Sequence, residues 1–446
     1  MKIIISLHHF LPEYVGGTEI YTLRLAQQLK YSGNNVTILV PNFDSPLNIE
    51  YEYEGIRVIK YAENSIEDRL MIMGKKEPVG LNAFAEILNF EKPDIMHFHE
   101  LAPGRGVNIF HVKRTRKLNI PIILTFHLGS YSCFKGSFIY KDGIKCDGII
   151  KIKKCTECVY HSKNITGVKG QLLNIMALGF FYAGINPTKM NNTIGTALGF
   201  PYVISKIKDD LLQLSALAEK IVVIADWYKN ILEKNGVPSS KLVCIKQGLT
   251  SEINNTNNFS GLIYPLKVVF IGRITALKGL HLLIDAISAV PENTISLFIY
   301  GKEIQDSYCM DCRQKSSAKK NIHWMGVIPS GEVVPTLSNY HILCLPSAYE
   351  MSPLVIQEAF ASGLPVLASD VYGNAEQIQD GVNGWLFRYN DSLHLADKLK
   401  MLIGDVKLVE SARSHLPAGR MFSEIAGEHL SLYTQIIRDK TKAVQE

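Results

Sequence analysis

The stretch Pro346-Ser-Ala-Tyr-Glu350-Met-Ser-Pro-Leu-Val-Ile-Gln-Glu358-Ala-Phe-Ala-Ser-Gly-Leu-Pro365-Val-Leu-Ala-Ser-Asp370 reads as strand, loop, helix, strand. Ser352 is a good N-cap and Pro353 suits the first helical position, so a helix is predicted from there to Gly363, a residue able to take the left-handed conformation that ends helices. Glu358 then falls in the second turn. The unpaired N–H groups and partial positive charge of a helix start make a seat for phosphate. Glu350, in the loop just before that seat, can reach a group bound there. Two carboxylates eight positions apart are a weak signal alone, and it is this setting that gives them weight.

The 446 residues allow two or three domains, each with its own core. An apolar fraction of 47% with 20% charged residues is that of a soluble globular protein. A net charge of +5 is too small to point to nucleic acid, which we do not expect as a partner. Residues 111 to 170 nevertheless hold twelve Lys or Arg against three Asp or Glu. The apolar run in Met1-Lys-Ile-Ile-Ile-Ser-Leu-His-His is too short for a signal peptide and reads as a first buried strand. Leu172 to Ile185 is broken by Asn174, Gly179 and Gly184, and falls short of the roughly 20 residues that span a bilayer. The expectation is a cytoplasmic, non-spanning protein, whose eight cysteines argue for thiols or metal rather than disulfides.

Outward from the opening stretch, apolar runs alternate with helical patterns along the whole chain. Lys2 to Ser6 leads into Gly16-Gly17-Thr18-Glu19 and a helix from Ile20 to Lys30, with Thr18 placed to cap it. Val36 to Val40, Ile56 to Tyr61, Asp94 to His99 and Ile120 to Phe126 are further strands of an open parallel sheet, whose ligands sit at strand C-termini. His97 and His99 point the same way from one strand, as a metal pair or as satisfied structural histidines. His127 closes Ile122-Ile-Leu-Thr-Phe-His at the ligand-facing edge. Cys133, Cys146, Cys155 and Cys158 follow within 26 residues, a spacing that fits a structural zinc site, unlinked thiols or a redox pair. The apolar segment from Ile165 to Leu217, taken with the basic excess before it, fits peripheral contact with an anionic membrane surface or a lipid-linked acceptor; it fits core helices beside a solvated basic face equally well. After strands at Ile221 to Ala225 and Leu242 to Ile245, an Asn- and Ser-rich run from Thr250 to Gly261 reads as a linker. Lys267 to Ile271 then opens a second domain. Arg273 and Lys278, five apart between that strand and a helix start, can converge on one diphosphate. Ile295 to Tyr300, Ile322 to Val327 and His341 to Leu345 continue its sheet, with Cys309 and Cys312 as two ordinary thiols in a polar loop region. Cys244 and Cys344 lie in apolar strands and read as core residues.

Gly-Gly-x-Glu, Thr-Phe-His, Gly-Arg-x4-Lys-Gly and Glu-x7-Glu occur in one order over nearly the whole chain. Together they resemble the signature of the family 4 retaining glycosyltransferases, two-domain enzymes that move a sugar from a nucleotide donor. The resemblance implies an α/β protein of GT-B fold, two doubly wound parallel-sheet (Rossmann-like) domains facing an interdomain cleft. Residues 1 to 250 would form the acceptor-side domain, with a Cys-rich insertion at about 130 to 165. Residues 251 to 261 would be the linker, 262 to 425 the nucleotide-sugar domain, and 426 to 446 a helix packing back on the first domain.

The resemblance also assigns roles. His127 and Glu350 would flank the transferred sugar as catalytic residues, and Glu358 would take the ribose hydroxyls. Arg273 and Lys278 would bind the donor diphosphate, faced by Gly16 and Gly17. Backbone near Val327 and Ile328 would hold the base, and Ser352, Pro353 and Leu354 would line the sugar-phosphate seat. Where the family has Gly and an aromatic residue after the first Glu, this chain has Met351-Ser352. The two cations would do the work a metal does in Asp-x-Asp enzymes, a motif this sequence lacks, so no cofactor is expected for catalysis. The implied reaction takes a hexosyl group from a nucleotide-diphosphate sugar to a hydroxyl acceptor, a glycan or lipid-linked sugar, with retention of configuration. A nucleotide-sugar epimerase or phosphorylase of the same fold, and a non-catalytic donor-binding partner, are the rival readings.

Overall fold

Short apolar runs separated by helices build parallel sheets buried on both faces, because the crossover helices cover them. The structure is a computed structural model that describes residues 1–446 except 64–70, 72–73, 75, 103–105, 142, 191, 250–264 and 446. The expected linker therefore lies outside the described residues. The chain forms two units. Met1–Gly136, Asp147–Lys246 and Phe422–Glu446 make the first, and Ser137–Cys146 with Gln247–Met421 the second. Three boundaries thus differ from the sequence reading: ten residues of the Cys-rich insertion group with the second unit, the first unit gives way at Lys246 rather than at residue 250, and the return to it comes at Phe422 rather than at residue 426.

In chain order the strands are β1 (Lys2–Ser6), β2 (Asn35–Asn42), β3 (Ile49–Tyr53), β4 (Ile56–Ala62), β5 (Ile95–His99), β6 (Ile122–Phe126), β7 (Ile139–Tyr140), β8 (Ile144–Lys145), β9 (Lys220–Val223) and β10 (Leu242–Cys244). Those of the first unit's sheet run β10-β9-β6-β5-β1-β2-β4-β3. Every neighbouring pair is parallel except β3 with β4. The sequence reading passed over β3, Ile-Glu-Tyr-Glu-Tyr, because it is a mostly exposed edge strand without the apolar run of its neighbours. The winding reverses between β1 and β5, and the loops after those strands open the crevice where doubly wound folds take ligands. The helix Gly17–Tyr31 and the final helix Phe422–Gln445 cover one face, with Tyr21, Leu25 and Leu29 sharing a core with Phe422, Ile425, Tyr433 and Ile436.

The second unit continues with β11 (Leu266–Ile271), β12 (Ile295–Tyr300), β13 (Ile322–Gly326), β14 (Ile342–Leu345), β15 (Val366–Ser369) and β16 (Gly384–Phe387), all parallel in the order β13-β12-β11-β14-β15-β16. Alternate strand residues go to opposite faces. Val268, Phe270, Ile342, Cys344 and Leu367 enter one core, and Val269, Leu343, Leu345, Val366 and Ala368 the other. Each fully buried side chain of this size contributes about 1.5–3 kcal/mol, so a slip of one residue would forfeit both faces at once. Here the winding reverses between β11 and β14, which carry the Gly-Arg loop and the opening stretch. Cys309 and Cys312 lie buried on a helix, Ser307–Ser316, capped by Asp306, and not in a loop as the polar sequence suggested. The antiparallel pair β7–β8 is a small hairpin of this unit.

Candidate functional site

The helix at the centre of the opening stretch runs Leu354–Ala361, with Pro353 in the N-cap position and no side-chain cap. It starts later than Ser352 would have set it, and its first N–H groups are left without the cap that Ser352 was expected to supply. Gly363 ends it in the left-handed region as expected. The loop before it is held from two sides. The Ala348 N–H donates to the Leu277 carbonyl at 2.8 Å, and the Gly373 N–H to the Glu350 carbonyl at 3.1 Å. Gly279, at φ +69°, lies so close that an added Cβ would overlap the Pro346 carbonyl oxygen. Any other residue there would push apart the two loops that bracket the switch point.

This clamping brings Lys278 and Glu350 together. Lys278 Nζ donates to Glu350 Oε1 at 2.6 Å, with the carboxylate nearly buried. The lysine expected on phosphate and the glutamate expected on sugar are thus one ion pair. Arg273 is exposed after β11 and has no ion-pair partner among the described residues, so its guanidinium is open to an anion. Glu358 stands one turn into the helix with no hydrogen-bond partner for its carboxyl group among the described residues, and burial pushes its pKa up to about 7. Ser352 is half-buried and Pro353 buried at the helix start. Val327 and Ile328 follow the end of β13 at Gly326, the strand stopping one residue earlier than expected, and Val327 is exposed.

In the first unit, Gly16 is extended and precedes the helix Gly17–Tyr31, which begins at Gly17 with no side-chain cap. Nothing lies within 4 Å of where a Gly17 side chain would be, whereas the Glu19 carboxylate folds back over Gly16 and accepts from the Glu19 N–H in the first turn. Thr18 does not cap it. Its hydroxyl donates to Glu100 Oε2 at 3.3 Å. Glu100 was not singled out in the sequence; the signal was an acid directly after a buried strand, and its left-handed backbone, φ +65°, turns it over the strand ends. Burial pushes its carboxyl up to about 7, opposed by the Thr18 hydroxyl and reinforced by Glu19.

His127 is buried at the end of β6, its Nε2 without a partner and its ring edge-on to Tyr21 at 4.9 Å. Burial lowers its pKa to about 3, so the imidazole is neutral at any working pH. His97 and His99 are satisfied core residues. Thr22 donates to the Thr18 carbonyl and so must accept from His99 Nδ1, 2.8 Å away, while His97 lies within 2.7 Å of Tyr433 and Thr125.

Among the described residues no three His, Cys, Asp or Glu side chains are placed to share a metal ion, and the eight cysteines form no disulfide. Cys155 and Cys158 lie on the helix Ile152–Ser162 instead of a knuckle, with Cys155 against the apolar cluster of Ile150, Val159 and Ile204. Cys133 follows the turn Gly129–Tyr131, and Cys146 ends the β7–β8 hairpin.

The chain matches two family models, one described as Glycosyltransferase Family 4 over residues 15–145 and one as Glycosyl transferases group 1 over residues 258–415. It is 23% identical over 402 residues to the uncharacterized glycosyltransferase MJ1607 of Methanocaldococcus jannaschii, covering 87% of this chain and 86% of that one. It is 25% identical over 205 residues to the putative colanic acid biosynthesis glycosyltransferase WcaL of Escherichia coli K12, covering 44% of this chain and 50% of that one. Among solved structures, sucrose-phosphate synthase from Thermosynechococcus elongatus superimposes with a TM-score of 0.63 at 17% identity, covering 98% and 99% of the two chains. Anabaena Alr3699/HepE in complex with UDP-glucose gives 0.56 at 15%, covering 99% and 100%.

Proposed function

Because this chain belongs to the family 4, group 1 glycosyltransferases and has their GT-B fold, we propose that it moves a hexosyl residue from a nucleotide-diphosphate sugar to a hydroxyl acceptor with retention of configuration. The observation that carries the donor half is the Lys278–Glu350 ion pair at the switch point of the second sheet, beside the uncapped helix start and the unpartnered Glu358. On this reading Arg273 and Lys278 stabilise the charge that builds on the leaving diphosphate, a fork and a point charge acting where an enzyme of another type would use a metal. Glu358 accepts from the ribose hydroxyls. Val327 and Ile328 offer backbone to the base. Glu350 faces the anomeric carbon as positive charge develops there, and a departing diphosphate on the same face takes the acceptor's proton.

The acceptor side is assigned to the first unit. A neutral His127 gives a hydrogen bond to a sugar hydroxyl without adding charge, and the Gly16-Gly17 helix start gives N–H donors to phosphate oxygens. We place the reaction in the building of a cell-surface or exopolysaccharide chain on a glycan or lipid-linked acceptor, as the colanic acid relative suggests, with the protein cytoplasmic and peripheral to the inner face of the plasma membrane.

The test is a thermal-shift panel of UDP-, GDP- and ADP-sugars, followed by NMR of the product's anomeric proton. One donor should stabilise the protein, by about 2.7 kcal/mol at one hundred times its Kd. Transfer should continue in EDTA with unchanged anomeric configuration. A strict divalent-metal requirement, or an inverted product, would overturn the reading.

A further inference from the structure

The helix Gly167–Tyr182, GVKGQLLNIMALGFFY, is apolar around nearly its whole circumference, a composition found in helices that are covered on all sides. This one is not covered. Gly170, Asn174 and Ala177 face the unit's interior, while Val168, Leu172, Ile175, Met176 and Tyr182 stand out on the other side. Val168 is 72% exposed, Ile175 66% and Tyr182 75%. Their spacing of three, four and seven puts them on one stripe, about 21 Å long, that holds no charged residue. Ile185, just past the helix, extends it and is 54% exposed. Soluble monomers seldom leave so continuous an apolar surface open.

Charge identifies what covers it. Between Glu157 and Asp209 the chain has no acidic residue and five lysines. Of these, Lys163, Lys169, Lys189 and Lys208 are exposed, and Lys169 borders the stripe by its position on the helix. A second copy docked symmetrically on this face would bring the same lysines against one another with no carboxylate to relieve them. Anionic headgroups above an acyl layer match both features, and the aromatic pair Phe181-Tyr182 at the helix's end suits the boundary between them.

We propose that the helix Gly167–Tyr182 lies in the plane of an anionic phospholipid surface, its Val168–Tyr182 stripe in the acyl boundary and Lys163, Lys169 and Lys189 on the headgroups. No helix among the described residues is long and apolar enough to cross a membrane, so the contact is peripheral. The assignment deepens the membrane part of the proposed function and stands apart from the transfer chemistry, since lipid binding is measured with no sugar present.

The experiment is flotation of the full chain with vesicles of phosphatidylcholine alone, or of phosphatidylcholine with one third phosphatidylglycerol. Anionic vesicles should bind at least about tenfold more protein, and raised salt should weaken the binding without abolishing it. Leu172→Glu/Ile175→Glu should lose about tenfold while keeping the parent's melting temperature and nucleoside-diphosphate affinity. Lys163→Gln/Lys169→Gln/Lys189→Gln should keep weak binding but lose the preference for anionic vesicles. Failure of the parent to float with either vesicle overturns the proposal. So does sedimentation velocity showing a dimer that Leu172→Glu dissociates, which would make the stripe an interface between copies.

Discussion

At the scale of single residues, the ion pair of Lys278 with Glu350 changes what each substitution tests. Removing the Glu350 charge frees Lys278 for phosphate. Glu350→Gln should therefore lower kcat by about tenfold or more, as loss of a transition-state contact does, while affinity for the free nucleoside diphosphate holds or rises. Glu358→Gln should do the reverse, raising donor KM with kcat largely kept, because ribose contacts do not change during reaction. Steady-state kinetics with titration calorimetry separates the two, and matching kcat losses with unaltered nucleotide binding in both would show the roles to be misassigned. Glu358 also sets a pH dependence. Its folded pKa lies above the ordinary carboxylate value, so the folded state holds its proton more tightly, and the cost of charging the buried group grows as pH rises from about 4.5 to about 7 and is complete above that. Urea melts should show Glu358→Gln gaining stability over the parent across that window and holding the gain at higher pH. Ribose hydroxyls donate to the ionised form, so nucleotide affinity should rise over the same window in the parent and less in the variant; the nucleotide's own phosphate titrates alike in both.

Among elements, the sequence made the strands and the glutamate-bearing helix legible, because buried parallel strands are nearly pure apolar runs and Gly363 is a strong stop. What it hid follows from context that a linear reading lacks. Edge strand β3 is exposed and half acidic, and Cys155 and Cys158 have zinc-knuckle spacing but sit on a helix whose apolar face takes Cys155 into a core. Glu100 could not be picked out because its meaning lies in a left-handed backbone and a hydroxyl from a helix far off in sequence. The β7–β8 hairpin was hidden for the same reason, since its partners are more than two hundred residues away. Phe138 is 1% exposed and packs between Tyr349 and Tyr372, both 5.9 Å off, while Lys145 lies 3.6 Å from Asp370 and 4.7 Å over the Tyr372 ring. Tyr349 is the neighbour of Glu350. Phe138→Ala should cost about 3–5 kcal/mol of the second unit's stability if the gap does not collapse, read by chemical denaturation. It should also loosen the Glu350 loop, seen as faster amide exchange there, whereas Lys145→Ala, an exposed pair, should cost under about 1 kcal/mol.

For the whole molecule, the chain passes from one unit to the other four times, at residues 136/137, 146/147, 246/247 and 421/422. Its final helix completes the first unit's core: Tyr433 bonds His97 at 2.7 Å, His429 bonds Tyr21 at 2.9 Å, and Phe422, Ile425 and Ile436 fill the apolar space around them. A chain ending at Met421 should lose the Tyr433–His97 and His429–Tyr21 bonds and leave several large apolar faces bare, a loss comparable with the typical 5–15 kcal/mol of domain stability. Expressed alone it should be insoluble or lack a cooperative melt, and a separately supplied peptide of residues 422–446 should partly restore one. The same interlacing governs order of events during synthesis. A ribosome releases the first sheet within its opening 245 residues, yet the helix that closes it emerges only after the second unit has been made. At about 5–20 residues per second, the early sheet spends roughly ten seconds or more with its Tyr21 face bare, an interval in which chaperone capture, rather than native stability, decides the yield.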